Sequence, residues 1–226
     1  MKTKLASAVL ALLSATLLRA AAPALPACCA ADAKPVAAKD TCCAAADATA
    51  LSGAALTATS LYQLDAKWTN DAGATLPLAS LHGRPVVLAM FFASCEYACP
   101  LIVDDMKRLG ALLPADVRAQ TQFVLVSFDP ARDTPAALKA YRERMKLDDA
   151  WTLLRGDAAH VQELAMLLGV KFKQDARGQF SHSNLITVLN PAGEIAHQRA
   201  GLMGDVSEAA KAVAATLPPA ATNGTR

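Results

Sequence analysis

Val86-Val87-Leu88-Ala89-Met90-Phe91-Phe92-Ala93-Ser94-Cys95-Glu96-Tyr97-Ala98-Cys99-Pro100 decides how this chain is read. The unbroken apolar run from Val86 to Phe92, introduced by Gly83-Arg84-Pro85, has no polar alternation, so it predicts a central strand buried on both faces. Pro100 predicts the opening of a helix, because its missing N–H and fixed φ are tolerated in a first turn. Cys95 and Cys99 therefore fall between strand and helix. That is the carboxyl edge of a sheet, where open α/β folds place their ligands.

The neighbouring segments repeat the alternation. Upstream, Leu61 to Asp65 alternates like a strand and Asn70-Asp71-Ala72-Gly73 reads as a turn. Downstream, Leu101, Asp105, Met106, Leu109 and Leu112-Leu113 recur at helical spacing and stop before Pro114. Phe123 to Phe128 predicts a second buried strand. Thr134 then stands as N-cap and Pro135 at the first position of a helix running to about Met145. A short strand at Trp151 to Leu154 precedes a helix capped by Asp157 and closed by Gly169. Leu185 to Leu189, the turn Asn190-Pro191-Ala192-Gly193 and Glu194 to Gln198 make a hairpin, and a last helix covers about Asp205 to Thr216. A parallel βαβ portion followed by an antiparallel hairpin and a closing helix predicts an α/β protein of thioredoxin-like fold, with a central mixed sheet flanked by helices.

Four segments follow from composition. Lys2 and Lys4, the apolar stretch Leu5 to Leu18 and the small residues after it have the order of a secretory signal over residues 1–27. The stretch is interrupted by Arg19, too early for a spanning helix. Leu25-Pro26-Ala27-Cys28 loosely resembles a lipobox, which would make Cys28 a lipidated membrane anchor. Residues 28–60 are rich in Ala, Lys, Asp, Pro and Thr and read as a flexible tether. Residues 61–216 form the domain, and 217–226 a disordered tail. An exported destination, the bacterial periplasm, is expected. With 22 basic and 20 acidic residues the formal charge is only +2, so no single-sign field favours nucleic acid as a partner.

The chain has six cysteines, at 28, 29, 42, 43, 95 and 99, all in its first half and closely paired. A domain of this size can rely on its own core, so they are not a fold-defining disulfide framework. The doublets Cys28-Cys29 and Cys42-Cys43 allow disulfide pairing, one lipid anchor or a soft-metal thiolate site. For Cys95 and Cys99 the helix dipole and free backbone N–H groups favour thiolates, and both sulfurs are expected to be reactive. Their i, i+4 spacing suits one shared metal ion or a disulfide. His82, His160 and His197 are expected to be solvated or packed. His182, in Phe180-Ser181-His182-Ser183-Asn184, stands at the entry to the hairpin strand, near the cysteine junction.

Over about Leu61 to Thr216 the sequence resembles the Sco/SenC copper chaperones. The resemblance rests on Gly83, Pro85 and Phe91, and on Cys95, Cys99 and Pro100 as C-x-x-x-C-P. It extends to Ser127-Phe128-Asp129-Pro130-Ala131-Arg132-Asp133-Thr134-Pro135, His182 and Asn190-Pro191-Ala192-Gly193-Glu194. It implies one copper ion, Cu(I) or Cu(II), held by Cys95, Cys99 and His182. It also implies delivery to the copper-acceptor subunit of a respiratory oxidase such as cytochrome c oxidase. A thioredoxin-like reductase is a further expected partner, since an oxidised cysteine pair cannot bind copper. Glu96 stands where the family often has proline, and Ser181 where an acidic residue commonly precedes the histidine. The second departure leaves Asp129 or Asp133 to support the imidazole.

Beside this one stand a pure binding module that buffers or senses copper, and three further readings. A plain structural disulfide would stabilise little, because the loop it closes is short. A thiol–disulfide oxidoreductase would use Cys95 and Cys99 without metal, although such enzymes usually separate their cysteines by two residues rather than three. A peroxidase would normally carry Pro and Thr just before its reactive cysteine, where this chain has Phe92-Ala93-Ser94.

Overall fold

The structure, a computed structural model, describes residues 56–176, 178 and 180–218. The expected signal segment, both cysteine doublets and most of the expected tail lie outside the described residues. Leu61–Gln63 is not a strand but a single 3-10 turn. The Ser60 hydroxyl accepts the Tyr62 N–H and so offers the backbone a local partner in place of a sheet ladder. This turn packs on the hairpin turn near the chain's other end. Leu61 N donates to Gly193 O at 3.0 Å, and Gly193 has φ +84 with the Tyr62 ring 2.5 Å from where a Cβ would project, so only glycine fits there.

The first strands, β1 (Trp68–Asn70) and β2 (Thr75–Leu76), form a small hairpin. The decisive apolar run becomes β3 (Val86–Phe91), every residue of it buried. After it come α1 (Ala98–Leu112), the short α2 (Ala115–Gln120), β4 (Gln122–Ser127), α3 (Pro135–Met145), β5 (Trp151–Arg155) and α4 (Ala158–Leu168). Next is a hairpin of β6 (Phe172–Gln174) and β7 (Phe180–His182), then β8 (Leu185–Leu189), β9 (Ile195–Ala200) and α5 (Ser207–Ala215). Neither α2 nor the β6–β7 hairpin is legible in the sequence pattern.

The main sheet has seven strands in the order β2-β1-β5-β4-β3-β8-β9. Strands β3, β4 and β5 run parallel, as buried strands joined by helical crossovers must, whereas β1, β8 and β9 join antiparallel. The mixed sheet flanked by helices is the predicted α/β architecture. Local chemistry fixes two helix starts as expected. The Thr134 side chain accepts from Ala137 N with Pro135 following it, and the Asp157 side chain accepts from His160 N.

One buried charge ties α1 to the far end of the sheet. Asp105 is fully buried, and its carboxylate accepts from Arg108 at 2.5 Å, Arg199 at 2.7 Å and the Met203 N–H at 2.8 Å. A buried carboxylate is tolerable only when so partnered. These bonds lock the helix that carries Cys99 to the loop after β9.

Candidate metal centre

The chain leaves β3 at Phe91, turns through residues 92–97 and enters α1 at Ala98, two residues before Pro100. Cys99 is thus inside the first helical turn, while Cys95 lies in the loop below it. Tyr97 occupies the N-cap position without a side-chain cap, and the Cys95 sulfur takes over that duty by accepting the Cys99 N–H at 3.3 Å. A thiolate satisfied in this way is favoured over a thiol.

The two sulfurs are consequently unequal in their surroundings. The Cys95 thiol is lowered to about 5 by the hydrogen bond from the Cys99 side chain, helped by backbone N–H groups of Cys99, Tyr97 and Ala98 and opposed by burial. Cys99 is fully buried, and its thiol is pushed far up because it donates to Cys95 and lies out of water. The two sulfurs therefore titrate as a coupled pair, with the hydrogen bond between them favouring the negative charge on Cys95. Cys95 is half-buried and lines an open groove of about 550 Å³ together with Phe92, Glu96, Tyr97, Phe180 and His182.

His182 reaches this groove near the cysteine junction, as expected, but from a short strand the sequence does not reveal. It closes β7 in the separate small hairpin, three residues before β8, rather than standing simply at the entry to the main hairpin strand. The hairpin is seated by aromatic packing. The Phe128 ring stacks on Phe172 with centroids 5.2 Å apart, and Phe180 sits 5.3 Å from Phe92 and 5.0 Å from Phe128. The imidazole itself is 4.9 Å from the Phe128 ring and edge-on to Phe92 at 6.0 Å. Its Nδ1 lies 3.2 Å from Ser183 O, so with that N–H donating to the carbonyl, Nε2 keeps the free lone pair.

Neither acidic candidate supports the imidazole. The Asp133 carboxylate accepts from Ala93 N at 2.9 Å and Ser127 Oγ at 2.5 Å, and Asp129 pairs with Arg132. Their work is structural. Ser127-Phe128-Asp129-Pro130-Ala131-Arg132-Asp133-Thr134-Pro135 is one closed loop in which Ser127 Oγ also accepts Asp129 N, and Thr134 caps α3. On the other flank of the cysteine loop the Arg144 guanidinium donates to Ala93 O at 2.6 Å and lies over the Tyr141 ring. Asp133 and Arg144 thus hold both backbone polar groups of Ala93, a role that nothing in the sequence pattern flags for either residue.

The outcome is convergence of three donors. One ligand atom each from Cys95, Cys99 and His182 lies within 4.8 Å of the others. A single ion can bridge such a set with small side-chain adjustments. Two soft sulfurs and an imidazole suit a soft or borderline transition metal rather than Mg or Ca.

This is a thioredoxin-like protein with a cysteine–cysteine–histidine cluster positioned to bind a metal at the carboxyl edge of its sheet. The family model SCO1/SenC matches residues 56–217, and the chain belongs to that family. A candidate copper-binding protein of Stutzerimonas stutzeri is 36% identical over 131 residues, a match spanning 56% of this chain and 63% of that protein. Among solved structures, a SCO1/SenC family lipoprotein from Bacillus anthracis superposes with TM-score 0.61 at 21% identity, covering 66% of this chain and 91% of that one. ScoI of Bradyrhizobium japonicum, determined with copper bound, gives TM-score 0.55 at 23% identity over 67% of this chain and 97% of its own. At such identities the superpositions establish the shared fold.

Proposed function

We propose that this protein is an exported metallochaperone that binds one copper ion through Cys95, Cys99 and His182. The observation that carries the reading is the convergence of those three ligand atoms within 4.8 Å beside an open groove. Copper, when bound, supplies two accessible oxidation states: two thiolates satisfy Cu(I), and the added imidazole accommodates Cu(II). The chain's own part is to hold the Cys99 sulfur on the first turn of α1 and the Cys95 sulfur in the loop before it, keep Nε2 free through the Ser183 carbonyl and leave one open side for transfer. The relative from Stutzerimonas stutzeri and the copper-bound ScoI support copper as the metal. Delivery to the copper-acceptor subunit of cytochrome c oxidase or a similar respiratory enzyme follows from the family resemblance. The periplasm as destination, with Cys28 as a lipidation point, follows from Lys2, Lys4 and the apolar run before Arg19.

A second reading, thiol–disulfide oxidoreductase, is favoured by the inequality of the two sulfurs, a half-exposed low-pKa Cys95 beside a buried Cys99. Anaerobic copper titration separates the two. The test uses the full chain with Cys28→Ser, Cys29→Ser, Cys42→Ser and Cys43→Ser, so that only the folded site contributes thiols. One copper per chain is expected, lost on Cys95→Ser with Cys99→Ser. His182→Ala is expected to weaken Cu(II) far more than Cu(I). Unchanged stoichiometry in the cysteine double variant overturns the reading.

A further inference from the structure

The two halves of the metal centre are carried by elements that do not adjoin in sequence. The sulfurs sit on the β3–α1 loop and the imidazole on the β6–β7 hairpin, which belongs to a two-stranded sheet of its own. Such a hairpin gains little from its own hydrogen bonds, since an isolated pair of strands is marginal in water. Its position must be set from outside. The residues that set it are found in the loop over 127–135.

Arg132 makes three contacts, two of them to this hairpin. Its Nε donates to the buried carboxylate of Asp129, which fixes the base of the guanidinium. Its Nη2 donates to Gly178 O at 2.5 Å, in the turn that joins β6 to β7. Its guanidinium carbon lies 5.7 Å from the centre of the Phe180 ring, and Phe180 is two residues from His182. Gly178 has φ +75, a left-handed conformation that favours glycine, and a Cβ there would lie 3.3 Å from Arg132 Nη1. Gln174 Nε2, from β6, shares the same carbonyl at 3.3 Å. The planar fork of arginine is what allows one side chain to serve a carboxylate and a carbonyl at once while covering an aromatic face.

We propose that Arg132 is a positioning residue for the copper centre, holding the β6–β7 hairpin so that His182 faces the cysteine loop. The proposal rests on the assignment of His182 as a ligand. Asp133, the next residue, bonds Ala93 N in the cysteine loop. One loop therefore sets both the sulfur side and the imidazole side of the site, and Arg132 is its arm toward the imidazole. Loss of Arg132 leaves the thiolates in place but lets the histidine wander, so it separates the two oxidation states of copper. Residues that orient a metal ligand without touching the metal typically carry about 10–100-fold in affinity.

The experiment compares Arg132→Gln, Arg132→Lys and His182→Ala in the full chain with the four tether cysteines replaced by serine. Cu(II) and Cu(I) affinities are measured by competition, the Cu(II) EPR spectrum is recorded, and amide exchange over 172–182 is followed in the metal-free protein. Arg132→Gln is expected to weaken Cu(II) by about tenfold or more, with Cu(I) held within about twofold. Exchange in the hairpin should rise while α1 and β3 stay protected. Arg132→Lys keeps the charge but not the fork, and should recover part of the Cu(II) affinity. Unchanged Cu(II) affinity in Arg132→Gln, or equal loss of both ions, overturns the proposal. If His182→Ala also leaves Cu(II) untouched, the ligand assignment itself falls. If His182→Ala weakens Cu(II) and Arg132→Gln does not, only the role of Arg132 falls. Should Arg132→Gln bind poorly because the protein is unfolded, loss of protection throughout α1 and β3 shows it, and that result too overturns a local positioning role.

Discussion

The carboxylate of Asp133 accepts the backbone N–H of Ala93 at 2.9 Å, reaching across from the loop before α3 to the strand end that leads to Cys95. The same oxygen takes the Ser127 hydroxyl, and only 1% of Asp133 is exposed. Asp133→Ala leaves two buried donors unpaired and is expected to cost about 1–3 kcal/mol for each of them. Asp133→Asn keeps an acceptor oxygen in place and should cost less. Chemical denaturation of the three proteins checks the order, and an alanine variant as stable as the parent sinks the argument.

Asp133 also predicts a pH dependence. Burial raises its carboxyl above the ordinary value of 3.8, against the pull of Ser127 and Ala93. A carboxyl raised in the folded state contributes stability that is present below the unfolded value and is lost as pH rises through the folded value. The stability difference between the parent and Asp133→Asn should therefore shift against the parent as pH rises from about 3.8, and level off once the folded carboxyl has ionised. Urea midpoints across that range test it. A difference that is flat, or that shifts toward the parent, contradicts the assignment of the buried charge.

Tyr141 offers the opposite case. It is fully buried, its ring lies 4.8 Å from Phe91, and its hydroxyl has no hydrogen-bond partner among the described residues. Removing an unpaired buried hydroxyl recovers its desolvation cost. Tyr141→Phe is expected to change stability by no more than about 0.5 kcal/mol, or to raise it, and thermal unfolding decides. A loss above about 1 kcal/mol would mean that the hydroxyl has a partner.

What the sequence made legible was what local chemistry decides. The all-apolar Val86–Phe91 could only be an interior strand. Thr134 with Pro135, and Asp157 with Gly169, set helix ends because caps act within a turn. The β6–β7 hairpin is not legible because its strands are three residues each and half-exposed, and Phe172 and Phe180 pack in an aromatic cluster rather than alternating over a longer run. Cys95 and Cys99 were legible as a pair, but their inequality depends on α1 starting at Ala98, which buries one sulfur and makes the other a cap. Arg132 and Arg144 were illegible as parts of the site, since their contacts at Gly178 and Ala93 span 46 and 51 residues.

The inequality of the sulfurs can be read by alkylation of the reduced, metal-free protein. With the Cys95 thiol lowered to about 5, its reaction with iodoacetamide should be near its plateau at neutral pH and fall only as pH drops toward 5. Cys99, buried and pushed upward, should label far more slowly until the protein unfolds. Peptide mass spectrometry distinguishes the sites. Equal labelling, or a Cys95 midpoint near the ordinary thiol value of about 8.5, contradicts the cap geometry.

Oxidation should close the site in a way that only Cys95 can reopen. A disulfide joining Cys95 and Cys99 removes both thiolate donors, so the oxidised protein is expected to take up copper weakly, through His182 and adventitious groups alone. Reduction requires a thiolate to attack one sulfur in line, and Cys99 is fully buried while Cys95 opens on the groove beside Tyr97. An incoming dithiol therefore attacks Cys95 through one thiolate, forms a mixed disulfide there and expels the Cys99 sulfur, which takes up a proton to become the buried thiol. Its second thiol then resolves that bond, leaving the partner oxidised and both cysteines free. This order fits a thioredoxin-like reductase acting before copper loading. The measurement uses protein with the four tether cysteines replaced by serine, oxidised and shown by thiol counting to have no free sulfur, with copper uptake recorded before and after dithiothreitol. Uptake should appear only after reduction. In parallel, Cys99→Ser should form a mixed disulfide with a small aromatic disulfide quickly and Cys95→Ser slowly. Copper bound as tightly before reduction as after it would remove the cysteines from the ligand set, and equal rates in the two variants would remove the directional attack.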